Sequence, residues 1–180
     1  NFFDTARSYT VSENYLGHAL KDKMAEVYLA TKAPARGKDK MLSDVELSLK
    51  DLQTDYIDLY QLHNVGSVED LEREIGEDGA YRALEQLKDQ GVIGHIGITT
   101  HKEEVLEMAL DLDIFETIQF PLNVVESQGK KAFELAVKKG IGTIAMKPLA
   151  GGALDKAFDS LRYILEFPYL NVAIPGMDTI

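Results

Sequence analysis

The chain has 180 residues, of which 45% are hydrophobic and 27% charged, as in an ordinary soluble globular domain with one substantial core. Its net charge of -11 argues against nucleic acid or an anionic membrane as the main partner, although local Lys, Arg and helix N-termini can still bind an anionic cofactor. Cysteine is absent, which excludes disulfides and thiolate metal sites. No apolar stretch is long enough to span a membrane. We expect a cytoplasmic location.

Short apolar runs alternate with amphipathic segments along the whole chain. The apolar runs predict strands at residues 1–3, 27–31, 56–62, 92–98, 117–120, 141–146 and 171–174. Helical periodicity predicts helices at residues 12–20, 41–52, 81–89, 102–112, 130–139 and 155–167. An acidic stretch at residues 68–78 resembles an insertion, and we expect it to be partly helical.

Strands that are apolar throughout and separated by helices are typical of a parallel sheet covered by helices. A repeat of roughly 25–35 residues suits an eight-fold barrel of about 250 residues. We therefore predict an α/β fold of the TIM-type (β/α)8 barrel class, present as a single incomplete domain over residues 1–180 that lacks the first strand and the C-terminal helix. An open doubly wound sheet is the alternative, and the lack of a Gly-rich phosphate-binding fingerprint after any strand disfavours it.

Four titratable residues stand where apolar runs stop: Asp4, Tyr9, Lys32 and His63. If the strands are parallel and adjacent, their carboxyl ends converge on one mouth. A cation such as Lys32 favours a phenolate and would lower the pKa of Tyr9. Taken singly, each residue is more simply a cap, an edge aromatic or a solvated side chain, but their joint placement indicates protonation of a carbonyl oxygen.

The segments that carry these residues resemble the aldo-keto reductase superfamily, in Asn1–Tyr9 (NFFDTARSY), Leu29–Lys32 (LATK) and Leu49–His63 (LKDLQTDYIDLYQLH). The resemblance implies a (β/α)8 barrel that binds NADPH without a Rossmann domain. It also implies that the catalytic tetrad is Asp4, Tyr9, Lys32 and His63, with Tyr9 as the general acid.

The same resemblance implies cofactor-binding positions. Thr99 and Thr100 match a loop that usually reads Gly-x-Ser-Asn, and Gln119 matches a carboxamide-binding Gln on the next strand. Asn123 in the following loop is a weaker candidate. Met146 takes the place of a Tyr that stacks on nicotinamide. The candidates around the phosphates and the adenosine are Lys147, Pro148, Leu149, Gly151, Pro175, Gly176 and Met177.

The stretch Met146–Gly152 (MKPLAGG) resembles prokaryotic oxidoreductases of the family, some of which carry an iron–sulfur segment that would follow Ile180 here. The histidines His18, His95 and His101 show no metal-binding spacing, so we expect no metal site in this chain.

The predicted function is hydride transfer from NADPH, with NADH as the alternative cofactor, to an aldehyde or ketone. The predicted partner is a small carbonyl compound. One alternative is a Schiff-base barrel aldolase that uses Lys32 or Lys147. Another is a non-catalytic, NADPH-binding regulatory subunit.

Overall fold

The computed structural model describes residues 1–177, and the chain divides into two compact units, Asn1–Thr99 and a second unit that begins at Thr100. Strands alternate with helices in both units. The pairs of strands whose register is defined are all parallel. This alternation and pairing are those of a TIM-type (β/α)8 barrel fold, and they confirm the predicted fold class.

The first unit is built from three complete strands, four α-helices and one short 3-10 helix, Met24–Glu26, and a fourth strand closes it at the boundary. The strands are β1 (Phe2–Asp4), β2 (Tyr28–Ala33), β3 (Ile57–Val65) and β4 (Ile93–Thr100), and the helices are α1 (Ser12–Leu20), α2 (Lys38–Leu52), α3 (Val68–Ile75) and α4 (Ala80–Asp89).

Parallel pairing in the first unit aligns the ends of the strands. Asp4 of β1 lies opposite Ala30 of β2, and Lys32 of β2 lies opposite Gln61 of β3. Helix α2 packs against α1 and α4. The fully buried apolar side chains of these elements include Leu29, Met41, Leu52, Ile57, Leu62, Leu71 and Leu84. The core therefore fixes the strand ends that carry the candidate catalytic residues.

The second unit contains α5 (Glu103–Leu112), β5 (Thr117–Pro121), α6 (Lys130–Lys138), β6 (Gly142–Met146), a 3-10 turn (Ala150–Gly152), α7 (Ala157–Leu165) and β7 (Val172–Ile174). Strand β6 pairs with both β5 and β7, and Gln119 lies opposite Ile144 in this register. Helix α6 packs on α5 and β6, and the buried side chains of this unit include Phe120, Phe133 and Ile144.

The structure places two candidate residues slightly deeper in their strands than the sequence predicts. Strand β2 continues past Lys32 to Ala33, which pairs with Leu62 of β3, and β3 itself continues past His63 to Val65. The acidic stretch forms helix α3, which Ser67 caps by accepting a hydrogen bond from the Asp70 N–H at 3.1 Å. Within residues 1–177, no helix combines the length and the apolar character that crossing a membrane requires.

Candidate active site

Asp4 and Lys32 form a buried ion pair at the ends of β1 and β2. Lys32 Nζ lies 2.6 Å from Asp4 Oδ2 and also donates to the Thr5 carbonyl at 2.7 Å. Gln61 Nε2 lies 3.5 Å from the other oxygen of Asp4. Only 1% of Lys32 is exposed. The ammonium is therefore held in a fixed direction by a carboxylate and a carbonyl.

Tyr9 lies next to this pair and next to His63. Lys32 Nζ is 5.3 Å from the centroid of the Tyr9 ring, and the His63 ring meets Tyr9 edge-on with centroids 5.8 Å apart. Ser8 Oγ is 3.2 Å from His63 Nδ1. Tyr9 is 48% exposed, so an incoming small molecule can reach its ring. The structure thus brings all four predicted catalytic residues together within the first unit.

The acid–base properties of this cluster differ from the sequence-based expectation. Burial raises the pKa of Tyr9 above its ordinary value, and the negative charge of Asp4 adds to this shift. The expected lowering by Lys32 does not prevail, because burial and the charge of Asp4 both favour the neutral phenol. Burial also raises the pKa of Asp4 and lowers that of Lys32, while each partner opposes the other's shift. Tyr9 is therefore a neutral phenol at physiological pH.

An anchor that the sequence did not single out holds the loop between β1 and α1. The Arg7 side chain donates to Glu13, which is 3% exposed, and to Asp51 Oδ2 at 2.7 Å. The Arg7 N–H donates to the Lys32 carbonyl at 2.9 Å. Glu13 in turn accepts from Thr31 Oγ1 at 2.7 Å. These contacts fix the segment that carries Tyr9, and the separation of 44 positions between Arg7 and Asp51 explains why sequence spacing could not reveal them.

Thr99, the predicted carboxamide contact at the end of β4, is 2% exposed and has a structural partner. Its Oγ1 accepts a hydrogen bond from the Asn64 N–H at 2.8 Å. A hydroxyl that accepts one hydrogen bond can still donate another. Thr99 therefore fixes the residue that follows His63, and this contact does not use the hydroxyl proton of Thr99.

In the second unit, the structure brings together Gln119 and Met146, which the resemblance assigns to nicotinamide. Gln119 Nε2 lies 3.9 Å from Met146 Sδ, and Gln119 is 2% exposed. Thr100 is fully buried, and its Oγ1 accepts from the Lys102 N–H at 3.0 Å. The hydroxyl of Thr100 thus supports the start of α5.

Asn123 is committed to the protein rather than to a ligand. Its side-chain oxygen accepts from the N–H groups of Val125 and Glu126, at 2.9 and 2.8 Å. Its amide donates to Glu126 Oε2 at 2.7 Å and to the Lys147 carbonyl at 3.0 Å. Asn123 therefore ties the loop after β5 to the loop after β6, and this role accounts for all its polar atoms.

The segment after β6 has backbone conformations that suit close approach by a ligand. Lys147, Gly151 and Gly152 have φ values of 53°, 67° and 92°. At each glycine, the space within 4 Å of the position of a Cβ holds no heavy atom of the described residues. Pro148 is buried and Leu149 is partly buried, so these two side chains anchor the turn to the protein.

The remaining predicted positions, Pro175, Gly176 and Met177, lie directly after β7, and Met177 is 85% exposed. The predicted iron–sulfur segment lies outside the described residues. Across residues 1–177, no group of three or more His, Asp or Glu side chains is arranged to hold a metal ion. For His101, burial and the charge of Lys147 lower the pKa, which favours the neutral imidazole.

The chain is similar to known proteins of one family. The model of the Aldo/keto reductase family matches residues 1–178 of the chain. The oxidoreductase YqkF of Bacillus subtilis is 30% identical, and the match covers 90% of this chain and 57% of YqkF. L-galactose dehydrogenase of Arabidopsis thaliana is 31% identical, with coverage of 87% and 53%. The chain spans about half the length of these curated relatives.

Solved structures show the same fold over nearly the whole chain. An aldo-keto reductase of Bacillus halodurans in its holo form is 26% identical with a TM-score of 0.82, and the match covers 96% of this chain and 71% of that one. An aldo/keto reductase of Klebsiella pneumoniae in complex with NADP and acetate is 25% identical with a TM-score of 0.82, and the coverage is 98% and 70%.

Proposed function

Because the chain belongs to the aldo/keto reductase family, we propose that it is part of an NADPH-dependent reductase of aldehydes or ketones in which Tyr9 is the general acid. The observation that carries this proposal is the cluster of Asp4, Lys32, Tyr9 and His63 within the first unit. A phenol between an ammonium and an imidazole suits protonation of an oxygen on which negative charge develops.

The state of Tyr9 supports the acid role. Burial and Asp4 raise its pKa, so the phenol carries its proton at neutral pH. As the proton leaves for the substrate oxygen, negative charge grows on Tyr9 Oη, and the Lys32 ammonium near the ring stabilises it. His63 would orient and polarise the carbonyl. Asp4 and the Thr5 carbonyl hold Lys32 in place during this step.

Residues of this chain fit a nicotinamide cofactor in their chemistry. Gln119 supplies a buried amide beside the thioether of Met146, and Thr99 retains a hydroxyl donor. Gly151 and Gly152 combine left-handed backbone with open space, as contacts to phosphates require. When bound, the cofactor supplies the hydride. The relative from Klebsiella pneumoniae was solved with NADP, which supports the choice of NADPH over NADH as the first cofactor to test.

Further residues complete the proposed cofactor contacts. Thr100, Lys147, Pro148 and Leu149 flank the amide and the glycine pair along the chain, and Pro175, Gly176 and Met177 would contact the adenosine end. The cytoplasmic location stays a prediction.

Replacing Tyr9 by Phe tests the acid role. We expect NADPH oxidation with a panel of aromatic and aliphatic aldehydes to fall by at least about 1000-fold, as expected when the proton donor of the transition state is lost. Binding of NADPH, measured by fluorescence titration, should change by less than twofold. The control is Tyr15→Phe, the same chemical change on α1 at a side chain that is 67% exposed. A Tyr9→Phe variant that retains full activity would overturn the assignment.

The two alternative functions give different results in the same assays. Lys32 Nζ donates to a carboxylate and a carbonyl, and this pairing weighs against a Schiff-base nucleophile. Borohydride trapping of a carbonyl adduct on Lys32 or Lys147 without nicotinamide would favour the aldolase. Tight NADPH binding without turnover of any carbonyl compound would favour the regulatory subunit.

A further inference from the structure

Glu74 is a buried carboxylate in helix α3, the acidic stretch to which the proposed reaction gives no role. It is 0% exposed. Its Oε1 accepts from Arg36 Nη1 at 2.5 Å, and its Oε2 is buried without a hydrogen-bond partner. A carboxylate is costly to bury, so a site that keeps one with a single partner calls for an explanation.

Arg36, the partner of Glu74, lies on a rigid piece of backbone after β2. Gly37 forms an antiparallel bridge with Gly79. The Lys38 N–H donates to the Asp78 carbonyl at 2.8 Å, and the Ala80 N–H donates to the Arg36 carbonyl at 3.1 Å. The turn after α3 therefore holds the backbone of Arg36, so the point from which its side chain reaches Glu74 is fixed.

The second arm of the Arg36 guanidinium reaches the backbone beside His63. Arg36 Nη2 donates to the Asn64 carbonyl at 3.2 Å. Asn64 has a φ of 55°, in the left-handed region that Asn adopts more readily than most other residues. Its N–H is held by Thr99 at 2.8 Å, so both polar backbone groups of Asn64 are engaged. The left-handed conformation of Asn64 is therefore fixed from both sides.

We propose that Arg36 is a positioning residue for His63, acting through the Asn64 carbonyl and anchored by Glu74 of the acidic stretch. The planar fork of Arg can serve a carboxylate with one arm and a carbonyl with the other. Because Asn64 follows His63 directly, its left-handed conformation sets the direction in which β3 presents the imidazole. Without the hydrogen bond from Arg36, Asn64 can change its conformation, and His63 can leave the orientation that a substrate carbonyl oxygen requires.

This proposal rests on the proposed reductase function, and Arg36→Met tests it. Methionine keeps the apolar stem and removes both donors. We expect kcat/KM for an aldehyde to fall about tenfold, mostly in kcat, as the loss of one charge-assisted hydrogen bond predicts, while the Kd for NADPH stays within twofold. The matched control is Arg82→Met, which breaks an Arg–Glu pair of the same 2.5 Å length between exposed partners on α4. We expect that variant to keep its activity.

A second readout follows His63 itself. The chain has four histidines, so the variant His63→Gln identifies the imidazole resonances of His63 by proton NMR. At one fixed pH, Arg36→Met should shift these resonances, and Arg82→Met should leave them in place. Arg36→Lys keeps a cation for Glu74 but not the fork, so its loss of kcat/KM should be smaller, about threefold.

Unchanged kcat/KM and unmoved His63 resonances in a folded Arg36→Met protein would overturn the proposal. If circular dichroism shows that this variant does not fold, Arg36→Lys carries the test, and wild-type activity in it would overturn the proposal equally. If the wild-type protein turns over no carbonyl compound, the reductase function fails, and the resonances of His63 alone decide whether Arg36 positions it.

Discussion

An ion pair as buried as Asp4–Lys32 adds little net stability, because desolvation of both charges offsets their attraction. At the level of single residues, the ion pair acts on Tyr9 through its charges. Asp4 keeps the ammonium in one direction, and together they set the electrostatic field around the phenol. In the proposed reaction, this pair therefore contributes to proton transfer from Tyr9 rather than to stability.

Variants of the pair separate stability from activity. Lys32→Met leaves the Asp4 carboxylate buried without its cation, so we expect the free energy of unfolding to drop by about 3–5 kcal/mol. Adding Asp4→Asn removes the unpaired charge and should restore most of that loss. The double variant should remain inactive, since no cation is left beside Tyr9. Urea unfolding and NADPH oxidation measure the two effects, and an active double variant would contradict the role given to Lys32.

At the scale of elements, the packing of α1 on α2 depends on Gly17. An ideal Cβ on Gly17 would lie 2.3 Å from the Asp51 carbonyl oxygen and 2.7 Å from the carbonyl carbon of Leu52. Both atoms belong to the backbone of α2, which cannot move aside as a side chain can. The glycine therefore allows the two helices to approach closely, and α1 in turn supplies Glu13 to the anchor of the Tyr9 loop.

Gly17→Ala should reverse the usual effect of this substitution. In an unconstrained helix, Ala is favoured over Gly by about 1 kcal/mol. Here the clash with α2 should lower the free energy of unfolding by roughly 1–3 kcal/mol, as overpacking does elsewhere. Asn14→Ala, at an exposed position of the same helix, is the control and should be neutral or slightly stabilising. Thermal unfolding of both variants decides, and a stabilised Gly17→Ala protein would refute this packing role.

At the scale of the whole molecule, Glu74 should make stability depend on pH. Burial raises its pKa from 4.5 to about 7; Arg36 opposes the shift, Asp70 adds to it and Arg73 opposes it. The folded protein therefore binds this proton more tightly than the unfolded chain. The stability that the proton contributes is complete below pH 4.5 and is lost as the pH rises through 7.

This linkage predicts that the wild-type protein loses about 2–3 kcal/mol between pH 5 and pH 8 relative to Glu74→Gln, at about 1.4 kcal/mol for each pKa unit. Glutamine has nearly the same shape and cannot ionise. Glu72→Gln, on the exposed face of the same helix, should follow the wild-type curve. Urea unfolding at several pH values gives the comparison, and parallel curves for wild type and Glu74→Gln would contradict it.

The order of the elements, the fold class and the four candidate catalytic residues can be read from the sequence alone. Strand runs are apolar throughout because both of their faces are covered, and chemistry at a barrel mouth is carried by residue types that stand where those runs end. Gly91 and Gly140 follow helices α4 and α6 with φ values of 73° and 78°, a conformation that favours glycine at the end of a helix.

The acid–base state and the hydrogen-bond partners of these groups depend on contacts that form only in the folded chain. The pKa of Tyr9 depends on burial and on Asp4, the polar atoms of Asn123 are consumed by loop contacts, and the Arg36–Glu74 pair joins residues 38 positions apart. Hydropathy and spacing report local preference, whereas desolvation and long-range pairing exist only once distant segments meet. The sequence therefore identifies candidate residues, and the fold determines which groups each of them contacts.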